Sequence, residues 1–471
     1  MSTDDKPKVI LRLRNFSKYF PIKKKSVFDR EQNYVRANEG ISLDIYEGET
    51  LGLVGESGCG KSTLGRTLLN LYPHSAGYVT YSGKSIYEFH PEYAEKYLRN
   101  LPAEKEKWKR LSQEAQKKVQ EFESRSEEQQ MKNRPKLEEE TKEANDQYYV
   151  LTQLIGGLLA VEDVKEVRDA VLEEYRAGVR ACSEKDSKEA QETFAAASEK
   201  VDALREKYRS LPHFAEYEEN RETGIDLSHL TKEEMRTLRK DLQIIFQDPY
   251  SSLDARMTIG QIIGEGLLTH HFFEKNGEEM QQYIMKVMEE CGLQSYFFHR
   301  YPHQFSGGQR QRVGIARSLA LRPKFIVCDE AVSALDVSIQ SQIINLLQEL
   351  KQKQNLTYLF ITHNLSVVKY ISDRVCVMYL GNVVEIAETE ALFSHPMHPY
   401  TEALLEAIPS AGEEDPTETK ILEGDIPSPV HPPEGCKFHT RCEYCTEICR
   451  HTVPQLTEVE PGHFTACHHV L

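Results

Sequence analysis

The chain has a single tryptophan, Trp108, in 471 residues, and no apolar run near the roughly 18 residues that a membrane span requires. The nearest candidate, "YYVLTQLIGGLLAV" from Tyr148 to Val161, is short and interrupted by Thr, Gln and Gly. Positive charge is also in deficit: 58 Lys and Arg stand against 74 Asp and Glu, for a net charge of −16. That balance argues against a nucleic-acid partner. The opening "MSTDDKPKVI" lacks the apolar core of a signal peptide, so the expected setting is the cytosol, where thiols stay reduced. Cysteine is sparse along most of the chain, yet half of the ten cysteines lie at or beyond Cys436. A mean hydropathy of −0.55 describes a soluble chain. Its length exceeds one ordinary core and suggests two or three domains.

The strongest motif present is "GESGCGKST", Gly55 to Thr63, which fits G-x-x-x-x-G-K-[ST]. Before it runs the apolar "ETLGLV", suited to a buried strand. After it Leu64, Leu68 and Leu69 recur at helical spacing. Strand, glycine turn and helix start present a nest of backbone N–H groups to phosphate. Gly55, Ser57, Gly58, Gly60, Lys61, Ser62 and Thr63 are the candidate phosphate-binding residues, with Lys61 reaching the β- and γ-phosphates and Ser62 on Mg²⁺. "KFIVCDE" supplies a second buried strand that ends in two carboxylates. Asp329 suits a water-mediated Mg²⁺ contact, and Glu330 suits polarising the attacking water. A third strand, "YLFITH", ends in His363 at the same edge. Strands alternating with helices imply an α/β fold with a parallel sheet covered on both faces.

"FSGGQRQRVGIARSLAL", Phe305 to Leu321, resembles the signature of ABC-type ATPases, and further elements of that family follow in order. The resemblance implies a RecA-like parallel sheet with an antiparallel β subdomain and an α-helical subdomain. It implies that Phe20 stacks on adenine, and that Gln247 contacts Mg²⁺ and senses a transmembrane partner. Asp336 falls in the D-loop "SALD", and His363 matches the switch histidine on the γ-phosphate. Ser306, Gly307, Gly308 and Gln309 would complete the nucleotide pocket of a partner subunit, so that ATP is sandwiched in a dimer. Two positions depart from the family pattern: Ala331 where proline commonly follows the acidic pair, and Asn364 where aspartate commonly follows the histidine. Neither removes a catalytic group, although turnover could be slow.

"MTIGQII", "RYPHQFSGGQ", "DVSIQSQIINLLQEL", "ISDRVCVMYLGNVVE", "HPMHPYTEALLEAIP" and "IPSPVHPPEGCKFHTRC" resemble the ATPase subunits of bacterial oligopeptide and dipeptide importers. Nickel importers share much of this pattern. The resemblance implies a peripheral subunit on the cytoplasmic face of the membrane. Its partners would be a second ATPase subunit, expected to be a different chain, two permease subunits and an extracytoplasmic binding protein. A DNA-directed ABC ATPase is disfavoured by the acidic balance and by the single cassette.

The family likeness divides the chain into core residues 1–89 and 225–395, a C-terminal extension 396–471, and an insertion over 90–224. The insertion is rich in Glu, Lys, Gln and Ala, with apolar residues at three- and four-residue steps, as in Val201, Leu204, Tyr208 and Leu211. It reads as an antiparallel hairpin or small helical bundle punctuated by Pro102, Pro135 and Pro212. The acidic "SAGEEDPTETK" is expected to separate the core from the cysteine-rich end.

Within that end, Cys442-x-x-Cys445 or Cys445-x₃-Cys449 would suit half a zinc site. The family pattern instead matches Cys436, Cys442, Cys449 and Cys467, an arrangement it associates with an iron–sulfur cluster, [4Fe–4S] by thiolate count. Cys445 is an extra cysteine that is either free or a competing ligand, and Zn²⁺ is the alternative metal.

Overall fold

The computed structural model describes residues 7–24, 32–407 and 424–471. The expected acidic linker lies outside them. Twelve strands occur among the described residues: β1 Val9–Pro21, β2 Tyr34–Tyr46, β3 Thr50–Val54, β4 Ala76–Tyr81, β5 Ile225–Asp226, β6 Leu242–Ile245, β7 Phe325–Asp329, β8 Thr357–Ile361, β9 Arg374–Tyr379, β10 Asn382–Glu388, β11 Thr457–Glu460 and β12 His463–Thr465. They form two sheets.

The larger sheet has the order β11-β12-β10-β9-β3-β8-β7-β6. Strands β9, β3, β8, β7 and β6 run parallel, and β10, β12 and β11 extend the edge in antiparallel fashion. Every residue of β3, β7 and β8 is buried, as continuous apolar runs in a two-sided sheet require. Helix Lys61–Leu68 buries Leu64 and Leu68 with Leu53, Val327 and Ile361 of the sheet, and helix Val337–Gln354 buries Ile343 and Leu347 with Ile326 and Phe360. The smaller sheet, β2-β1-β4-β5, is antiparallel throughout. A helical layer of Ile259–Thr269, Glu278–Glu290 and Gly307–Leu319 closes around Ile263, Leu267, Ile284, Met288 and Val313.

The insertion is helical, and it holds two antiparallel helix pairs. Leu101–Glu123 packs on Glu127–Ile155, and Lys165–Ser183 packs on Lys188–Tyr208. Val150, Ile155, Val167, Val171, Val201 and Phe214 are buried together as a core of its own. Pro135 lies inside its helix rather than ending it. Contacts on both sides of the proline hold that helix to its partner: Gln130 donates to the Glu123 carbonyl and Lys118 to the Glu140 carbonyl.

The insertion core also starts earlier than residue 90. Ile86 is buried in it, and Tyr87 packs edge-on to Phe194 and tilted against Tyr175. The two ends meet where the Ile86 N–H donates to the Thr223 carbonyl at 2.8 Å.

The cysteine-rich end is not a separate appendage. Its hairpin β11–β12 completes the edge of the larger sheet, with Glu385 facing Thr465. Glu385 is fully buried and accepts from the Met397 and His398 amides at 2.7 and 3.1 Å, and it lies 2.7 Å from His463 Nε2.

Candidate active site

The phosphate loop runs from the end of β3 into helix Lys61–Leu68. Its shape depends on glycine at two points. Gly55 has φ 145° and Gly60 φ 105°, and a Cβ on either would come within 2.2 Å of the Met378 carbonyl oxygen or 2.0 Å of the Ala37 carbonyl oxygen. Asn38 Nδ2 donates to the Gly60 carbonyl at 3.2 Å, fixing the loop to β2. Ser57, Gly58 and Thr63 lie on the same loop and helix start. Lys61 is 5% exposed and folds back on the loop, donating to the Gly55 and Glu56 carbonyls at 2.7 and 3.0 Å.

Strand pairing β3–β8–β7 brings the acidic pair to this loop. Ser62 Oγ donates to Asp329 Oδ1 at 2.5 Å. Asp329 is fully buried and also receives Arg66 Nη2 at 3.0 Å and Nε at 3.2 Å. Glu330 takes a left-handed backbone, φ 49°, which costs energy in a non-glycine residue and is found at functional turns. Its N–H donates to Ile361 at 3.0 Å, and its carbonyl receives Ser333 Oγ at 3.0 Å. The Glu330 carboxylate accepts from Gln247 Nε2 at 2.7 Å and lies 3.7 Å from His363 Nδ1. The second distance is too long for a direct hydrogen bond.

Four expected residues, Ser62, Asp329, Glu330 and Gln247, are therefore joined by direct contacts, with His363 beside them. Phe20 sits at the end of β1, edge-on to Tyr72 at 5.8 Å, with Lys18 Nζ 4.6 Å from its ring centroid. Ser306, Gly307, Gly308 and Gln309 lie elsewhere, at the solvent-facing start of helix Gly307–Leu319, where Ser306 and Gln309 cap each other. Asp336 is exposed at the start of helix Val337–Gln354. Both segments face outward, as groups that serve a second subunit would.

The two departures from the family pattern also have local explanations. Asn364 caps helix Leu365–Ile371, its Oδ1 accepting from the Ser366 and Val367 amides at 3.0 and 3.3 Å, a task asparagine performs as well as aspartate. Ala331 is buried at 2% exposure, so a small residue fits there.

Sequence reading missed Arg66, Asn38 and Glu56, each of which positions a residue it had named. Arg66 follows Ser62 by four positions, on the same face of the helix. Asn38 has no local signal.

The four cysteines of the expected cluster, Cys436, Cys442, Cys449 and Cys467, line one small cavity, and Cys445 does not. Burial pushes the Cys436 thiol up to about 12 and Cys442 up to about 11, with the neighbouring thiols pushing the same way. The thiols are not gathered around a single metal ion. Among the described residues no group of three His, Cys, Asp or Glu side chains could hold a metal ion. Cys467 Sγ instead lies 3.0 Å from the His469 carbonyl, and Thr446 Oγ1 lies 3.6 Å from Cys449 Sγ. Among the described residues, no helix is long and apolar enough to cross a membrane.

The family model for ABC transporters matches residues 38–221 and 211–333, which together make up more than half of the chain. The chain belongs to the ABC transporter family. It is an ATP-hydrolysing cassette whose hydrolysis is coupled to transport, with an ABC-type α/β fold. A second model, the oligopeptide/dipeptide transporter C-terminal region, matches residues 384–449. The oligopeptide transport ATP-binding protein AppF of Bacillus subtilis (strain 168) is 34% identical over 98% of this chain and 97% of its own. The di/tripeptide transport ATP-binding protein DppF of Pseudomonas aeruginosa (strain UCBPP-PA14) is 46% identical over 52% of this chain and 75% of its own. Among solved structures, cbiO1 from Clostridium perfringens aligns at 17% identity and TM-score 0.44, covering 82% of this chain and 91% of that one.

Proposed function

We propose that this cassette powers the uptake of peptides through a membrane ABC importer. It would act as one of two ATPase subunits beneath two permease subunits fed by an extracytoplasmic binding protein, on the cytoplasmic face. The observation that carries the ATPase half is the contact chain Ser62–Asp329 and Gln247–Glu330 at the C-terminal ends of β7 and β6. The peptide half is supported by the match over residues 384–449 and by the likeness to AppF along nearly the whole chain.

In this reading the loop amides and Lys61 hold the phosphates. Ser62 and Gln247 are the residues that would hold Mg²⁺, which would neutralise the phosphate charge. Asp329 orients the Ser62 hydroxyl. Glu330 accepts the proton of the attacking water, and His363 steadies the γ-phosphate. Most of the barrier reduction comes from positioning and charge stabilisation, supplied as two cassettes close on ATP. The outward-facing Ser306–Gln309 segment completes the partner's pocket. Phe20 supplies the adenine contact.

Cys436, Cys442, Cys449 and Cys467 are the residues that would hold a [4Fe–4S] cluster, in which each thiolate binds a different iron and no three ligands need gather on one ion. Its role would be to pin this small segment. The reading is supported by the four thiols lining one cavity, the number of thiolates that such a cluster takes.

The test is to isolate the chain with its associated subunits from native membranes, place the complex in liposomes, and measure ATP hydrolysis with peptide-loaded binding protein. Permease subunits should co-purify, and peptide should stimulate hydrolysis. Co-purification with nucleic acid, or stimulation by nickel alone, would redirect the assignment.

A further inference from the structure

Glu56 follows the first glycine of the phosphate loop, and the C-terminal segment grips it from two sides. Arg441 Nη1 and Nη2 donate to Glu56 Oε2 and Oε1 at 2.7 and 3.0 Å, a bidentate fork. The Arg441 side chain is 4% exposed, so little water screens the pair from that side. Tyr400 OH accepts the Glu56 N–H at 2.9 Å. The Glu56 carbonyl in turn receives Lys61 Nζ, the ammonium assigned to the phosphates. Arg441 also lies over the ring of Tyr379, which packs on Tyr400 and Phe438 at centroid distances of 4.7 and 5.3 Å. The residue after Arg441 is Cys442, which lines the four-thiol cavity.

A carboxylate within a loop that must accept a polyphosphate is a charge conflict, because the two negative charges repel through a partly dry site. A bidentate guanidinium removes the conflict, and it comes from a segment 385 residues away in sequence. We infer that Arg441 is a positioning residue of the phosphate loop, which neutralises Glu56 and lets the cysteine-bearing segment set ATP affinity. The inference rests on the loop being the ATP site, and not on which group the thiols hold. Because coupling between two sites is reciprocal, nucleotide binding must also steady the segment that carries Cys442.

The test uses the full chain with a fluorescent ATP analogue and Mg²⁺. Arg441→Gln should weaken nucleotide binding about tenfold, the effect of one charged hydrogen-bonded pair. In the assembled complex KM should rise with it, while kcat at saturating ATP stays near wild type. Glu56→Gln should bind at least as tightly as wild type. The double variant Glu56→Gln/Arg441→Gln should return to within about twofold of Glu56→Gln, since only the unneutralised carboxylate does harm. A double variant as weak as Arg441→Gln means that the arginine merely props the fold, and the inference falls.

Should Arg441→Gln not fold, Arg441→Lys keeps the charge without the fork and should show a smaller loss that Glu56→Gln again removes; a loss left unchanged overturns the inference. A second readout needs no variant. Saturating nucleotide should slow amide hydrogen exchange over residues 436–449 in the wild-type chain, and an unchanged rate would overturn the coupling. Wild-type protein that binds no nucleotide at all would instead fail the ATP-site assignment itself.

Discussion

Gln247 Nε2 donates to Glu330 Oε2 at 2.7 Å, joining a residue just beyond β6 to one just beyond β7. Both neighbours of this contact have roles of their own, since Asp329 holds Ser62 and His363 stands 3.7 Å away. The carboxylate is thus held in place by an amide donor.

Glu330→Gln tests the role of that carboxylate. The substitution preserves size and leaves Lys61, Ser62 and the loop amides in place, so nucleotide affinity should stay near wild type. Hydrolysis should fall by about 10²–10⁴-fold, the usual contribution of a positioned general base. Single-turnover assays of the assembled complex measure this, with the partner ATPase carrying its own equivalent substitution. Turnover close to wild type would move the base elsewhere.

The insertion gives a second test. Helix Glu127–Ile155 lies on the smaller sheet: Tyr149 packs on Tyr78 at 4.2 Å, and Tyr19 and Tyr34 donate to Glu138 and Glu139 at 2.9 and 3.0 Å. Because its ends meet at Ile86 and Thr223, residues 86–221 can be replaced by a short Gly/Ser linker without stretching the sheet. Glu222 should be kept, since it bonds Arg12 and Thr80. The shortened chain should bind ATP but melt at a lower temperature, because Tyr19 and Tyr78 lose cover. An aggregated product without nucleotide binding would make the insertion part of the core.

These contacts mark where sequence reading stopped. The positions of the phosphate loop, the strand-end carboxylates and His363 were legible because each is local: a buried strand and a motif that its own flanks explain. The helical character of the insertion was legible for the same reason. The packing of Ile86 and Tyr87 with it was not, because their partners Tyr175 and Phe194 lie far along the sequence. Pro135 was misread as punctuation, since a partner helix on both sides of it outweighs one lost amide bond. The place of the cysteine-rich end was hidden as well. Nothing in "HFTAC" announces a strand of the central sheet, and the fork of Arg441 on Glu56 joins two stretches that look unrelated.

Asp146 offers a test with a definite sign. It faces the Asp226–His229 pair, whose Oδ2 and Nδ1 lie 2.8 Å apart, with Lys142 and Glu143 on its own helix. Burial pushes its carboxyl up to about 6, against the opposing pull of Lys142 and His229. A folded-state value above the unfolded 3.8 means that the folded chain binds this proton more tightly. Its stabilising effect is complete below the unfolded value and lost as pH rises through about 6. Asp146→Asn mimics the protonated form at every pH. The variant should therefore be more stable than wild type above that range, by on the order of 2 kcal/mol, and match it in acid below the unfolded value. Thermal melts across the range measure this, and a difference that ignores pH would contradict it.

The cysteine cavity gives the last test. Cys436, Cys442, Cys449 and Cys467 line it and Cys445 does not, so the two kinds of serine substitution should part. If the chain holds [4Fe–4S], protein purified without oxygen is brown and carries iron and acid-labile sulfide. Cys442→Ser should lose both, because three thiolates hold such a cluster poorly. Cys445→Ser should keep both, whereas a zinc site built on the Cys442-x-x-Cys445 spacing would need that residue. Metal and sulfide content, read beside the absorbance spectrum, decide the matter without reference to ATPase activity. A colourless protein with stoichiometric zinc, no sulfide, and metal loss in Cys445→Ser would replace the cluster with a zinc site.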